Sequence, residues 1–244
     1  MTDGKEDGRL ALIAGGGKLP VYVAEAARRS GHSPVILALR NEADQDWSGF
    51  EHITLGIADM QALSAALKTY HIRRVILSGA VRRRPEWRDI RPTWTSLSHV
   101  PTMIRTLRSG GDNAMLMAVI SLIESLDCRV LGVQDVAPDL LVETGCLTRS
   151  RPKPEDMDDI GAASYAASMI GRLDIGQGSV SVGGRVVALE GAEGTDGMLE
   201  RVAMIRAQGR ISQRRKGVLV KLCKPQQDER ADLPAIGRQT VEKA

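Results

Sequence analysis

The sequence is poor in aromatic side chains: Phe, Trp and Tyr make up 3% of its 244 residues, and only one is a Phe. Proteins that bind single-stranded nucleic acid stack bases on exposed aromatic rings, so this composition argues against nucleic acid as a partner. The net charge of +3 is also small for a protein that wraps a duplex. It suits an anionic ligand or an anionic membrane surface.

Cysteines are few, and long apolar runs are missing. The three cysteines, Cys128, Cys146 and Cys223, are far apart and form no CxxC pair, which is typical of a reducing compartment. The N-terminal stretch MTDGKEDGRLALIAGGG has acidic residues and only a short apolar run before its glycines. It therefore resembles neither a signal peptide nor a membrane span, and we expect a cytoplasmic protein.

Several catalytic signatures are absent too. There is no GxSxG, and no cysteine and histidine are placed as a catalytic pair, so nucleophilic acyl chemistry has no support. The histidines show no metal-ligand spacing; they are His32, His52, His71 and His99. Neither the GxGxxG dinucleotide pattern nor a Walker lysine–serine pair is present.

Residues 1–140 alternate short apolar runs with amphipathic stretches. Helices are predicted from Pro20 to Gly31, at 58–70 and at 112–127, the last with Asp112 as its N-cap. Strands are predicted at 10–14, 34–39, 53–56 and 74–81, and residues 128–136 are predicted as a further strand followed by an exit loop. Strands that alternate with helices at this spacing predict an α/β domain with an open parallel, Rossmann-like sheet.

The pattern changes after the prolines of SRPKPED, which indicate a domain boundary near 140–155. Residues 150–244 then read as a smaller α/β domain. Its predicted parts are a helix at 155–174, a β-hairpin at 176–191 around Gly183 and Gly184, a helix at 194–209 and a strand at 217–224.

Three glycine-bearing loops are candidates for phosphate binding in the first domain. Glycine allows close backbone approach, and a helix start offers N–H groups to an anion. Alternatively, the first loop is a tight packing turn and the second a solvated basic loop. The candidate residues are Gly15, Gly16 and Gly17 in the first loop, Gly79 and Arg84 in the second, and Gly111, Asp112 and Asn113 in the third.

An acidic cluster stands between the hairpin and the next helix. Glu190, Glu193 and Asp196 lie within seven positions and repel one another unless they are solvated, hydrogen-bonded or bound to metal. The alternative is a helix cap: Thr195 or Asp196 caps the helix while the glutamates face water.

Taken together, these stretches resemble one family, the UDP-2,3-diacylglucosamine pyrophosphatases of the LpxI type from the lipid A pathway. The resemblance runs in order from about residue 9 to the end of the chain. It rests on LALIAGGGKLP, GAVRRRP, SGGDNAML, IGRLDIGQGSVSVGGRVVALEGAEGTDGML, GVLVKLCKP and QDERADLPAIG.

The resemblance implies an enzyme that cleaves UDP-2,3-diacylglucosamine to UMP and 2,3-diacylglucosamine 1-phosphate. It implies Mg²⁺ as the cofactor, water attack on the sugar-side phosphorus, a homodimer, and a catalytic aspartate at Asp232. Asp232 becomes the expected metal ligand or general base, and Glu190 and Glu193 become further expected metal ligands. Gln177, Thr195, Asp196 and Lys221 join the glycine-loop residues as expected substrate contacts. A diacylated substrate also implies peripheral contact with the inner membrane.

Two departures from the family pattern bear on this expectation. Family chains usually continue for some tens of residues beyond the position of Ala244, so we expect a shortened C-terminal domain. Asn113 stands where an aspartate is common. One alternative is therefore an inactive nucleotide-sugar binding module. Another, an NAD-linked oxidoreductase, is disfavoured because GxGxxG is missing and Arg40, rather than an acidic residue, follows the second strand.

Overall fold

The computed structural model describes residues 8–83, 112–225, 227–230 and 233–244. These residues divide into two compact units. The first unit runs to Val142 and also takes the short segment with Asp228 and Arg230. The second unit comprises Glu143–Gln227 and Leu233–Ala244.

A parallel sheet forms the centre of the first unit, as predicted. Its described strands are β1 (Arg9–Ala14), β2 (Val35–Leu39), β3 (His52–Leu55), β4 (Ile72–Ser78) and β5 (Arg129–Leu131). They lie in the order β3-β2-β1-β4-β5, and every neighbouring pair is parallel. This order reverses direction between β1 and β4, the point at which ligands bind in Rossmann-type sheets.

Helices cover both faces of this sheet. They are α1 (Leu19–Arg29), α2 (Met60–Thr69), α3 (Asp112–Glu124) and the short α4 (Val133–Val136). Alternate residues of β1 enter two different cores: Ala11 packs with α2 and α3, and Leu12 packs with α1. A strand buried on both faces needs an uninterrupted apolar run, which is what LALIA supplies.

Residues 128–136 were predicted as a strand and an exit loop, and the strand is confirmed at Arg129–Leu131. The expected exit loop instead contains α4 at Val133–Val136. The backbone N–H of Gly132 donates to Asp135 Oδ2 at 2.9 Å, which closes a helical turn that a sheet residue could not make.

The second unit has a smaller antiparallel sheet in the order β7-β6-β8. Its elements are α5 (Met157–Arg172), β6 (Gly178–Val182), β7 (Arg185–Leu189), α6 (Gly194–Ala207), β8 (Val218–Lys221) and α7 (Arg238–Lys243). The predicted hairpin is confirmed, since Gly183 and Gly184 both take positive φ, +70° and +75°. The α7 helix was not predicted.

Strand β6 is buried on both faces although it contains serines. Its valines, Val180 and Val182, pack in the core with α6. Its serines face α5 and are satisfied there: Ser179 Oγ donates to the Ala163 carbonyl, and Ser181 Oγ donates to Asp159 Oδ1, both at 2.6 Å. The sheet therefore lies between α5 and α6. No helix in the described part of the chain is both long and apolar enough to cross a membrane.

Candidate functional site

The glycine triplet lies at the carboxyl end of β1, but its N–H groups are already engaged. Gly15 donates to the Ser78 carbonyl and Gly16 to the Ala80 carbonyl, both at 2.8 Å. Gly17 donates to Asp44 Oδ1 at 2.9 Å. In this conformation the triplet offers none of its N–H groups to a phosphate.

Close approach explains why glycine is needed at these positions. A Cβ on Gly15 would lie 2.5 Å from the Ala80 carbonyl oxygen, and a Cβ on Gly79 would lie 2.7 Å from Pro20 Cγ. Gly79 also has φ +95°, a left-handed conformation that favours glycine. The loops after β1 and β4 are therefore joined backbone to backbone. Substrate contact by Gly15, Gly16, Gly17 and Gly79 stays a prediction.

Two carboxylates that follow β2 complete this arrangement, and we did not single them out from the sequence. The buried carboxylate of Glu42 accepts the backbone N–H groups of Arg82 (2.8 Å) and Arg83 (3.0 Å). The Asp44 carboxylate accepts from the Gln45 side chain and from Gly17, and these two hydrogen bonds lower its pKa. Their position three and five residues after β2 was the available signal. Both carboxylates therefore help to hold the loops after β1 and β4.

Part of the expected site lies outside the described residues. Arg84, Gly111 and Asp232 are not described, nor is the side chain of Asp112. Asn113 lies in the first turn of α3 and is half-buried. The roles expected of these residues stay predictions.

The second unit brings four of the expected residues together around Glu190. This carboxylate is 6% exposed and follows β7. Its Oε1 accepts a hydrogen bond from Thr195 Oγ1 at 2.7 Å, and its Oε2 accepts one from the backbone N–H of Gln177 at 3.3 Å. Glycines make room for it: a Cβ on Gly178 would lie 2.7 Å from Glu190 Oε2.

Thr195 links this carboxylate to Lys221. The Lys221 ammonium donates to Thr195 Oγ1 at 2.8 Å and to the Ala235 carbonyl at 3.1 Å. Because the hydroxyl has a single proton, which goes to Glu190, it must accept from the lysine. Ala235 belongs to the Asp-Leu-Pro-Ala-Ile-Gly motif, three residues after Asp232. We call the chain Gln177–Glu190–Thr195–Lys221–Ala235 the Glu190 network.

The remaining two acidic residues do not join the Glu190 network. The Glu193 carboxylate accepts from Arg201 Nη2 at 2.5 Å, and Asp196 lies 3.3 Å from the ammonium of Lys243. The helix-cap alternative was wrong. The N-cap position of α6 is Glu193, without a capping side chain, and Thr195 bonds Glu190 instead.

Gln177 supplies a further polar atom in this region. Its side-chain Oε1 is buried and has no hydrogen-bond partner in the described structure. A buried acceptor left unpaired costs free energy, so a ligand donor that reaches it would be stabilised. Within the residues that the structure describes, no three His, Cys, Asp or Glu side chains are grouped closely enough to hold a metal ion. The metal roles of Asp232, Glu190 and Glu193 stay predictions.

The fold and this geometry define a two-unit α/β protein with a Rossmann-type sheet in one unit and a carboxylate–hydroxyl–ammonium network in the other. The sequence matches the model of the LpxI N-terminal domain over residues 9–140 and that of the LpxI C-terminal domain over residues 143–244. The chain therefore belongs to the LpxI family.

A curated relative supports the same assignment. The UDP-2,3-diacylglucosamine pyrophosphatase LpxI of Caulobacter vibrioides is 38% identical over 238 residues. The match covers 97% of this chain and 84% of the relative. The resemblance inferred from the sequence motifs is thus confirmed.

Proposed function

We propose that the protein hydrolyses the pyrophosphate bond of UDP-2,3-diacylglucosamine to give UMP and 2,3-diacylglucosamine 1-phosphate. The family and the named activity of the Caulobacter relative support the substrate. Within the structure, the observation that carries the proposal is the Glu190 network. It attaches an ammonium group to the motif in which Asp232 lies.

In the proposed reaction, water attacks the sugar-side phosphorus and the bridging oxygen leaves with UMP. Positioning and charge neutralisation supply most of the catalysis in phosphoryl transfer. Lys221 uses two of its three N–H donors on Thr195 and Ala235, which leaves one to donate to a diphosphate oxygen. In this proposal, the buried Gln177 Oε1 accepts a hydrogen bond from a substrate hydroxyl or amide.

Mg²⁺ belongs to the same proposal, and it would supply charge neutralisation on the diphosphate and a polarised water. Magnesium is usually held by one or two carboxylates together with substrate phosphates and water. We assign Asp232 as the protein carboxylate of this set. Glu190 is less suited because both of its oxygens already accept hydrogen bonds.

The test is release of UMP and 2,3-diacylglucosamine 1-phosphate from UDP-2,3-diacylglucosamine with Mg²⁺, followed by mass spectrometry. In ¹⁸O-labelled water the label should appear in the lipid product and not in UMP. Asp232→Ala should abolish turnover while the protein stays folded by circular dichroism. Near-normal turnover of the folded variant would refute the role of Asp232.

The alternative to a hydrolase is an inactive module that binds the same nucleotide sugar. A module would bind UDP-2,3-diacylglucosamine in a calorimeter but release no UMP at any Mg²⁺ concentration.

We also propose that the enzyme works in the cytoplasm, as a homodimer, in peripheral contact with the inner membrane. Exposed apolar side chains on α5, namely Met157, Tyr165 and Met169, support a contact surface. Light scattering of the protein alone tests the homodimer. Sedimentation with anionic vesicles tests the membrane contact.

A further inference from the structure

A shielded ion pair lies at the start of the segment that leads to Asp232. Lys224 Nζ lies 2.7 Å from Asp174 Oδ1, and the two side chains are 12% and 26% exposed. Lys224 comes three residues after β8, and Asp174 comes two residues after α5. Neither residue is used by the reaction as proposed above.

Asp174 occupies a backbone conformation that favours glycine. Its φ is +54°. Its N–H donates to the Gly171 carbonyl (3.1 Å), and the N–H of Ile175 donates to the Ile170 carbonyl (3.0 Å). These two bonds form a Schellman motif at the end of α5, with Asp174 at the position where glycine is usual. Aspartate tolerates this conformation less well than glycine, and here its carboxylate is engaged in the ion pair with Lys224.

The backbone around Lys224 is fixed by several other contacts. The Lys224 N–H donates to Gln227 Oε1, and the Gln227 N–H donates to the Lys224 carbonyl, both at 3.0 Å. A Cβ on Gly171 would lie 3.5 Å from Lys224 Cα and 3.4 Å from Pro225 Cδ, so the chain passes directly against α5. The ion pair therefore links the end of α5 to an already ordered turn.

The other end of the segment is held by the Glu190 network, through the bond from Lys221 to the Ala235 carbonyl. Lys224 and Ala235 are thus each held by a side-chain contact, and Asp232 lies between them in the sequence. We propose that Asp174 is a positioning residue: its ion pair with Lys224 fixes the start of the segment that carries Asp232. The expected effect on turnover rests on the proposed function. The expected effect on the order of the segment rests on the fold alone.

Asp174→Gly is the informative variant because glycine is favoured at φ +54°. It removes the carboxylate and its ion pair but relieves the backbone, so the two effects oppose each other and the unfolding temperature should change little. We expect kcat for UMP release to fall by about tenfold to a hundredfold, as small misplacements of catalytic groups do, with KM within about twofold. Lys224→Met should lower kcat by the same factor. The double variant should lower kcat no further than either single variant, because the two side chains act as one unit.

Asp127→Gly is the matched control. Asp127 also follows a helix at positive φ (+57°), but it forms no side-chain ion pair among the described residues. The same substitution there should leave kcat unchanged. Wild-type kcat in Asp174→Gly, or a loss in both aspartate variants that follows thermal stability, would overturn the proposal.

Hydrogen exchange provides a readout that does not depend on activity. Peptides covering residues 222–237 should exchange faster in Asp174→Gly than in the wild type, while peptides from α6 should not change. Unchanged exchange in residues 222–237 would refute the positioning role. If the wild-type protein releases no UMP, the proposed function fails, and the exchange data still decide whether the ion pair fixes the segment.

Discussion

Replacing Thr195 by valine tests whether the Glu190 network is needed. Valine has nearly the same shape but no hydroxyl, so it removes both the bond to Glu190 Oε1 (2.7 Å) and the bond from Lys221 Nζ (2.8 Å). Thr195→Ser is the matched control, since it keeps the hydroxyl and loses a methyl group.

The expected cost is set mainly by the burial of Glu190. A hydrogen bond to a charged group contributes about 1.5–3 kcal/mol, and the buried carboxylate, 6% exposed, cannot easily replace it with water. Lys221 is half-buried and can recruit water, so its loss adds little to stability. We therefore expect unfolding free energy to fall by about 1.5–3 kcal/mol in Thr195→Val, and by clearly less in Thr195→Ser.

Urea denaturation, followed by circular dichroism, measures this loss of unfolding free energy. With a slope of about 2 kcal/mol per molar, the midpoint should drop by about 1 M in Thr195→Val. Turnover should fall by about tenfold or more, since Lys221 loses one of its two observed orienting bonds. If the valine variant matches the serine variant in both midpoint and turnover, the hydroxyl is not the link that we assign to it.

Two further predictions concern stability. Gly79→Ala should cost a few kcal/mol more than Gly17→Ala in urea denaturation, because a Cβ at Gly79 meets Pro20 Cγ at 2.7 Å whereas one at Gly17 (φ +89°) meets nothing within 4 Å; equal midpoints would contradict the close-packing role. Asp159 has a lowered pKa because, although burial is the largest influence and raises it, hydrogen bonds from Ser181, Gly184 and Gly183 outweigh it. A lowered pKa gives stability that is present above the unfolded pKa of about 3.9 and is lost as pH falls through the folded pKa. Asp159→Asn should therefore be less stable than the wild type at pH 7 and lose less unfolding free energy on acidification below about pH 4. Parallel profiles of unfolding free energy against pH for the two proteins would count against this.

The sheet of the first unit was predictable because its strands are buried on both faces. Such strands appear as continuous apolar runs, and LALIA and VILAL need no knowledge of their neighbours to be recognised. The strand after Cys128 was recognisable from its apolar residues Val130 and Leu131, but the exit loop expected after it contains the helix α4, whose first turn is closed by the hydrogen bond from Gly132 N–H to Asp135. The apolar pattern of a sequence does not reveal a hydrogen bond of this kind.

The candidate site was predictable by residue type and less so by partner. Glu190, Thr195 and Lys221 were each expected, but a spacing of 26 residues between Thr195 and Lys221 gives no sign that they touch. For the glycine triplet, the sequence left anion binding and a tight packing turn as alternatives, and the structure gives each N–H a partner within the chain. Donor availability depends on where the next loop passes, which no local pattern contains.

The order of groups in the Glu190 network bears on its proposed chemistry. A direct contact between Glu190 and Lys221 would neutralise the lysine and reduce its attraction for an anion. Here a neutral hydroxyl separates the two charges, and its only proton is committed to the carboxylate. Lys221 is thereby oriented by an acceptor and by the Ala235 carbonyl while it keeps its charge for a ligand. A threonine between a buried carboxylate and an ammonium group thus favours diphosphate binding over simple ion pairing at this position.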